Sequence, residues 1–376
     1  MNISPTPHQP RVLVAPLDWG LGHATRCIPI IRTLLTKGAT VWLAGDGKVG
    51  YLLKTEFPEL SFLSLPGYGI TYGHTRMGTL AALATQVPKL LRAIQQETRW
   101  LQQVVIDHKI DAVISDNRYG LHHLDVFSVF ITHQLLIKTP LQRADLLLQK
   151  WAYRYINRFD ACWVPDALGN DTLAGILAHP KKLPTVPVTY LGPLSRFNYA
   201  MPALTHYILI LLSGPEPQRT ILEEKLLQQA KLFQNPILLV RGLPGAVGVP
   251  KVPYHITIVN HLPTSTLQKA IAGAQFVISR CGYSTVMDLM ILQKKCIFIP
   301  TPMQTEQEYL AQHLMQQNFA LAIPQQKFVL KNAVALADSF PYRFPVVEKG
   351  NALQHAVTDL LQQCSLKKEG QLQNRK

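Results

Sequence analysis

Residues 11–45 read RVLVAPLDWGLGHATRCIPIIRTLLTKGATVWLAG. The apolar run at 11–17 predicts a buried strand, and TVWLAG at 40–45 predicts a second one. The residues between them predict a helix that ends at Gly38, with one apolar face formed by Ile28, Ile31, Leu34 and Leu35. A strand, a helix and a strand in this order predict a parallel sheet whose loops gather at the carboxyl ends of its strands.

The same alternation continues along the chain. Further strands are predicted at 60–65, 111–116, 126–133 and 161–166. After a Pro-rich stretch at 181–205, a second series of strands is predicted at 207–213, 236–242, 254–260, 275–279 and 296–300. Alternation of this kind predicts an α/β protein with two Rossmann-like, doubly wound domains that face each other across a cleft.

The length of the chain also suits two domains. We predict that the N-terminal domain covers residues 1–195 and is followed by a linker at 196–205. The C-terminal domain is predicted at 206–348, a final helix at 349–365 and a flexible polar tail at 366–376.

The 376 residues carry a formal net charge of +14, which predicts an anionic partner. The basic residues are dispersed and show no nucleic-acid-binding signature, so we do not expect a nucleic acid to be that partner. A phosphorylated ligand or an anionic membrane surface fits the composition better.

The sequence shows neither an apolar run of the roughly 18 residues that a membrane helix needs nor a signal peptide at the start of the chain. The five cysteines are scattered without metal-site or disulfide spacing. We therefore expect a cytoplasmic protein that can touch the inner face of the plasma membrane peripherally.

The loop DWGLGH at 18–23 joins the first strand to the first helix. Gly20 and Gly22 match two glycines of the dinucleotide fingerprint, but Thr25 stands where the third is needed, which argues against NAD or FAD. The positive field of a helix N-terminus favours the neutral form of His23, which could then deprotonate an acceptor hydroxyl. A purely structural capping role is the alternative.

Polar residues also end two other strands at the same edge of the sheet. They are Asp116, Asn117 and Arg118 in SDNRYG, and His133 in ITHQ. Ligands of open α/β sheets bind at this edge, so we predict that these side chains line an acceptor site, with Asp116 as a second candidate base. Loop capping by Asp116 and Asn117 is the alternative.

In the second series, SRCGYSTVMD at 279–288 turns from a strand into a helix. Backbone N–H groups near Gly282, Ser284 and Thr285 can bind a diphosphate, and Asp288 lies one turn further on, where its carboxylate could bond a ribose. The alternative is that Ser284 is an N-cap and that Asp288 interacts with the helix dipole.

Together with PMQTEQEYLAQ at 302–312, this segment resembles the donor site of glycosyltransferase family 28. That family has an S/C-R-x-G-x-x-T-x-x-E segment followed by P-x-x-x-Q-x-x-N-A. The resemblance implies the two-domain GT-B fold, with Thr285 near the phosphate, Asp288 on the ribose, and Gln307 and Glu308 on the donor sugar. Asp288 replaces a glutamate and Glu308 replaces a glutamine of the family pattern.

The resemblance extends more loosely to DWGLGH, where the family has a glycine loop with its histidine on the acceptor side, and it implies that Gly20 and Gly22 contact the acceptor. It also extends to LLSGPEP at 211–217, where the family has a phosphate-binding loop, here with Gly214. It implies transfer of a hexose or N-acetylhexosamine from a UDP sugar to a hydroxyl of a glycan or lipid-linked acceptor, as in cell-envelope glycan or glycolipid synthesis, with inversion.

In this interpretation Arg241 and Arg280 help to stabilise the leaving diphosphate. The chain has no D-x-D motif at a suitable loop, so we expect a transferase that needs no metal and no cofactor besides the UDP sugar as co-substrate.

The segment 140–158 combines basic residues with apolar and aromatic ones. It could lie on an anionic bilayer, or it could be a core-packed helix with a solvated basic face. Two other functions stay open for the whole chain, a sugar-nucleotide 2-epimerase and a non-catalytic nucleotide-sugar-binding protein.

Overall fold

The computed structural model describes residues 9–69, 76–139, 142–198, 206–346 and 351–374. The N-terminal domain contains strands β1 (Arg11–Pro16), β2 (Thr40–Gly45), β3 (Ser61–Ser64), β4 (Ala112–Asp116), β5 (Phe127–Ile131), β6 (Ala161–Val164) and β7 (Val188–Tyr190). Its helices are α1 (Leu21–Thr36), α2 (Gly47–Glu56), α3 (Arg76–His108) and α4 (Gln142–Ile156).

The C-terminal domain contains strands β8 (Ile208–Leu211), β9 (Ile237–Val240), β10 (Ile256–Val259), β11 (Phe276–Ser279), β12 (Cys296–Phe298) and β13 (Leu321–Ala322). Its helices are α5 (Gln218–Ala230), α6 (Thr264–Gly273), α7 (Tyr283–Ile291), α8 (Thr305–Gln316) and α9 (Leu330–Ser339). The last helix, α10, spans Ala352–Asn374.

Each domain is built on one parallel sheet, as the sequence predicts. The strand order is β3-β2-β1-β4-β5-β6-β7 in the first sheet and β10-β9-β8-β11-β12-β13 in the second. In both sheets the order reverses beside the first strand of the series, between β1 and β4 and between β8 and β11. Ligands of doubly wound sheets bind outside the carboxyl ends of the strands at such a point. The fold therefore places a binding crevice in each domain.

The two domains share one apolar core. A single cluster of buried side chains includes Val12 and Ile31 of the first domain together with Val286 and Met287 of α7. The cluster explains why α1 packs against α7. The outer faces of the two sheets have separate cores, one beneath α3 and one beneath α5 and α9.

The C-terminal helix is longer than the sequence predicts, because α10 continues to Asn374 through the stretch expected to be a flexible tail from 366. This helix returns to the N-terminal domain, where it packs against α1 and β5. Cys364 is buried there, and Lys367 donates hydrogen bonds to the Val126 carbonyl at 3.0 Å and to Asp160 at 3.1 Å. These contacts hold the polar end of the chain in helical form.

The Pro-rich stretch at 181–205 is also more ordered than the sequence predicts, because β7 adds an edge strand to the first sheet. Most of the predicted linker, 199–205, lies outside the described residues. Among the helices that the structure describes, none is at once long enough and apolar enough to cross a membrane.

A buried ion pair fixes the loops above the first sheet. Arg118 is 0% exposed, and its guanidinium lies 2.8 Å from the Glu97 carboxylate of α3. The same guanidinium donates to the carbonyls of Pro16 and Pro66 at 2.9 and 3.1 Å, and Glu97 accepts from the Tyr68 hydroxyl at 2.8 Å. Arg118 is thus enclosed within the domain and joins three loops.

Arg118→Ala should lower the free energy of unfolding by about 3–5 kcal/mol, because it leaves Glu97 buried without its countercharge. Chemical denaturation measures the change. Arg99→Ala removes an exposed arginine from α3 and should change the same free energy by at most about 0.5 kcal/mol. Equal effects of the two substitutions would contradict the structural role of the buried pair.

Candidate functional site

The cleft between the domains is lined by the loops that follow β1, β4 and β5 on one side and β11 and β12 on the other. The two sides touch in this structure. The Ser284 hydroxyl donates to the Gly22 carbonyl at 2.8 Å, and the Thr305 hydroxyl donates to the Lys138 carbonyl at 2.7 Å. The starts of α7 and α8 are therefore docked on the N-terminal domain.

The two glycines of the DWGLGH loop have different structural roles. Gly20 has φ +141°, a conformation that side chains rarely adopt, and it lets the chain turn from β1 into α1. At Gly22 a Cβ atom would lie 2.8 Å from the Ser284 hydroxyl oxygen, so a larger residue would force the Ser284 side chain to shift. The loop thus combines a tight turn with a close approach between the domains.

His23 and Asp116, the two predicted bases, are brought together. His23 Nδ1 lies 3.2 Å from Asp116 Oδ1 at the carboxyl end of β4. Burial lowers the pKa of His23 from 6.5 although the Asp116 carboxylate opposes the shift, so the imidazole is neutral at pH 7. When its ring proton is on Nδ1, a neutral imidazole beside this carboxylate presents a lone pair at Nε2, as a general base requires.

The structure adds Arg26, which was not a predicted site residue. Its side chain is 2% exposed and forms two bonds to Asp116, one of them from Nε to Oδ2 at 2.7 Å. Burial alone would raise the pKa of Asp116, but Arg26 and His23 hold it well below its usual range. Arg26 follows His23 by three residues on α1, a spacing that places both on one helix face; that signal was available in the sequence.

A second histidine continues this group across the cleft. Arg26 Nη1 lies 2.9 Å from Nδ1 of His133, and His133 Nε2 lies 2.8 Å from Glu306 in the first turn of α8. The ring of His133 also stacks on Tyr283, with centroids 4.3 Å apart and planes at 6°. Neither Glu306 nor Tyr283 was a predicted site residue. An acidic residue in the first turn of a helix is explained by the helix dipole alone, so no sequence pattern marked Glu306 as a site residue.

Open space lies over the predicted phosphate-binding positions. Gly282 caps α7 without a side-chain bond. Apart from its chain neighbours, no atom of the described residues lies within 4 Å of where its Cβ would be, and this is also true of Gly214, which has φ +104°. Ser284 does not cap its own helix, because its hydroxyl reaches Gly22 instead. Thr285 is half-buried in the first turn of α7. The free N–H groups at this helix start are suited to an anion.

Asp288 faces the chain that leaves the N-terminal domain. Its side chain is buried, accepts a bond from the Ser195 hydroxyl at 2.5 Å and lies 3.8 Å from Arg196 Nε. Burial raises the pKa of Asp288 from 3.8 to about 6, although Arg196 opposes the shift. In this structure the carboxylate therefore joins the two domains at the hinge side of the cleft.

The two predicted phosphate-binding arginines form bonds within the C-terminal domain. Arg280 is 2% exposed and donates to the carbonyls of Gln218, Ile299 and Pro300 at 2.8 to 3.3 Å, and burial lowers its pKa to about 10. Arg241 bonds Glu223 at 2.8 Å. Arg280 thus joins the start of α5 to the loop after β12 and holds these two predicted donor-binding segments in place from inside the domain.

Gln307 and Glu308 hold the loop that precedes α8. Gln307 accepts from the backbone and hydroxyl of Thr301 at 2.9 and 3.0 Å, and Glu308 accepts from the Met303 amide at 3.0 Å. Met303 has φ +68°, a turn that these two side chains stabilise. Two neighbouring side chains, Thr305 and Glu306, contact the opposite domain instead.

In the sequence, Asn117 lies between Asp116, a predicted base, and Arg118 of the buried ion pair. Asn117 has φ +57°, and its backbone N–H donates to the Ile131 carbonyl at 3.1 Å. Asn117 therefore forms the turn that aims Asp116 at the cleft and Arg118 into the domain. Of the four residues predicted at the ends of these strands, Asp116 and His133 meet at the cleft.

The C-terminal domain resembles a known protein family. Residues 254–363 match the model of the glycosyltransferase family 28 C-terminal domain. The predicted resemblance to family 28 is confirmed. Comparison with curated protein sequences gives no significant match.

Solved structures of glycosyltransferases share the fold along nearly the whole chain. The glycotransferase of kitacinnamycin matches with a TM-score of 0.62 and 14% identity, over 96% of each chain. MurG of Acinetobacter baumannii matches with a TM-score of 0.55 and 15% identity, over 94% of this chain and all of MurG (100%). UGT89C1 of Arabidopsis thaliana, complexed with UDP-L-rhamnose, gives 0.63 and 12%, over 94% and 99%. The chain therefore has the GT-B fold, and the family match supports glycosyl transfer as its chemistry.

Asp288→Asn should gain stability relative to the wild type as the pH rises. A carboxyl group with a raised pKa keeps its proton in the folded chain where the unfolded chain has lost it, so wild-type stability falls between about pH 4 and pH 6. The variant should gain about 1–3 kcal/mol relative to the wild type between pH 4 and pH 7.5, measured by denaturation at both pH values. Asp107→Asn, at an exposed site on α3, is the control. A gain at Asp288 no larger than at Asp107 would contradict the burial argument.

Proposed function

We propose that the protein is a glycosyltransferase that moves a hexosyl or N-acetylhexosaminyl group from a UDP sugar to a hydroxyl group of a glycan or lipid-linked acceptor. The observation that carries this proposal is the pairing of His23 with Asp116 at the cleft, opposite the start of α7. A neutral base, oriented by a buried carboxylate, faces a domain of a nucleotide-sugar-using family.

The reaction follows from the position of His23. In its reactive tautomer, Nδ1 donates to Asp116 and Nε2 presents its lone pair to the cleft. Nε2 takes the proton of the acceptor hydroxyl while that oxygen bonds to the anomeric carbon of the sugar. The bond from this carbon to the diphosphate oxygen breaks with its electron pair, which leaves UDP. Attack from the face opposite the leaving group inverts the anomeric carbon.

The C-terminal domain supplies the electrostatic part of this proposal. The open N-terminus of α7 at Gly282 and the loop at Gly214 are the places for the diphosphate, and helix N-termini stabilise the negative charge that develops there. We expect this charge stabilisation to suffice without a divalent ion. The complex of UGT89C1 with UDP-L-rhamnose supports a uridine nucleotide as the donor.

The test is transfer itself, measured as UDP release and product mass with UDP-glucose, UDP-galactose and UDP-N-acetylglucosamine against glycan and lipid acceptors, with and without a metal chelator. His23→Ala should lower turnover by about 10²–10⁴-fold and leave the UDP-induced shift of the unfolding midpoint unchanged. His355→Ala, at an exposed histidine of α10, should leave both quantities unchanged.

Two outcomes would overturn this function. Isomerisation of UDP-N-acetylglucosamine without any acceptor would identify an epimerase. Binding of UDP sugars with neither transfer nor isomerisation against the whole panel, and the same behaviour in His23→Ala, would identify a binding protein.

The surface of α4 supports contact with an anionic bilayer. Leu146 and Leu147 are 63% and 69% exposed, and Lys150 and Arg154 follow them on the exposed side of the helix. On the other side, Trp151 packs against Tyr119, whose ring centroid is 5.5 Å away. Exposed leucines flanked by cations are suited to an anionic lipid surface, and we propose that α4 lies on one, close to the strand ends that hold Asp116.

The double substitution Leu146→Glu and Leu147→Glu should lower binding to vesicles of phosphatidylglycerol by about tenfold or more, because it removes apolar contact and adds negative charge. Co-flotation with vesicles measures the binding. Leu232→Glu changes a leucine that is 89% exposed in the C-terminal domain and should retain binding. A wild-type protein that stays unbound, or equal loss in both variants, would rule out this membrane face.

A further inference from the structure

The side chains around Arg26 form a chain of hydrogen bonds that runs from one domain to the other. Arg26 contacts His23, Asp116 and His133 in the N-terminal domain, and His133 contacts Glu306 in the C-terminal domain. A guanidinium is always protonated and every one of its nitrogens is a donor. The direction of each bond can therefore be derived outward from Arg26.

The two neighbours of His133 fix its tautomer. Nδ1 lies 2.9 Å from Arg26 Nη1, so Nδ1 must be the acceptor. The ring proton is then on Nε2, which donates to the Glu306 carboxylate at 2.8 Å. The stack on Tyr283 keeps the ring in the plane that both bonds need.

His23 has two competing neighbours at one nitrogen. Its Nδ1 lies 2.9 Å from Arg26 Nη2 and 3.2 Å from Asp116 Oδ1. If Nδ1 accepts from Arg26, the ring proton is on Nε2 and the cleft meets an N–H group. If Nδ1 donates to Asp116, the cleft meets a lone pair. Only the form with the proton on Nδ1 can take a proton from a hydroxyl group. The distances favour the other form, because His23 Nδ1 lies closer to Arg26 than to Asp116.

We propose that Glu306, through His133 and Arg26, sets which nitrogen of His23 carries the proton. While Glu306 accepts from His133, Nδ1 of His133 holds Arg26 where its Nη2 also reaches His23, and Nε2 of His23 is protonated. The event that releases Glu306 rests on the proposed function. It is the binding of a donor sugar, whose hydroxyl groups bond Glu306 in place of His133.

When a ligand takes Glu306 away from His133, the hydrogen bonds change in order from His133 to Arg26 and then to His23. His133 Nε2 loses its acceptor, so His133 can adopt the other tautomer, in which Nδ1–H and the Arg26 N–H are two donors that repel. Arg26 then bonds Asp116 alone, and Nδ1 of His23 is free to donate to Asp116. One proton moves from Nε2 to Nδ1 of His23 by exchange with water. Glu306, His133 and Arg26 are thus positioning residues that make the base available once the donor is bound.

Nuclear magnetic resonance of the full chain labelled with ¹⁵N-histidine tests this, because ring nitrogen shifts report the tautomer. In the wild type without ligand, His23 should carry its proton on Nε2. Glu306→Ala should shift the ratio of the two His23 tautomers at least tenfold toward Nδ1–H. Glu306→Gln loses the same charge but keeps an acceptor oxygen, so its His23 should match the wild type. The His23 signals are assigned by their loss in His23→Asn.

Two results would overturn the relay. One is a wild-type His23 that already carries its proton on Nδ1. The other is an equal response in the Ala and Gln variants, because a direct charge effect predicts equality. Adding UDP sugars to the wild type separates the relay from the proposed function. If Glu306→Ala shifts the tautomer and no UDP sugar does, the relay is supported and the donor assignment is overturned.

Discussion

The buried ion pair between Arg26 and Asp116 is the interaction on which the cleft depends. Asp116 is the last residue of β4, and Arg26 lies on α1, so the pair fixes the helix to the sheet at the point where the strand order reverses. A buried carboxylate is tolerated only with a partner. The pair leaves Asp116 ionised beside His23 and directs the rest of the guanidinium toward His133. The orientation of both histidines therefore follows from one charge pair.

The fold could be predicted from the sequence because it depends on local patterns. Apolar runs such as 11–17 and 275–279 alternate with amphipathic helices, and this alternation alone specifies parallel sheets. Several elements were not predicted, and two of them show why. The strand Val188–Tyr190 is too short and too close to prolines to show a period, and α10 extends through a polar stretch because of contacts with Asp160 and Val126, residues distant in the sequence.

The site was harder to predict because burial and partner choice are tertiary properties. The sequence placed His23, Asp116 and His133 at one edge, and they meet there. Arg118 and Arg280 look like anion ligands in a sequence, since a loop arginine after a strand gives the same pattern whether it faces a cleft or the interior. Their carbonyl and carboxylate partners lie far away in the sequence. Glu306 acquires its contact only when the two domains dock.

The return of α10 to the N-terminal domain bears on how the chain is synthesised. Val357, Leu360 and Cys364 belong to the same buried cluster as Ile28 and other residues of α1. Domains usually fold as their residues leave the ribosome. Here the first domain cannot complete its hydrophobic core until α10 has been made, so a ribosome that has not yet added this helix carries a first domain whose core is incomplete. Folding of the first domain is thereby coupled to synthesis of the entire second domain.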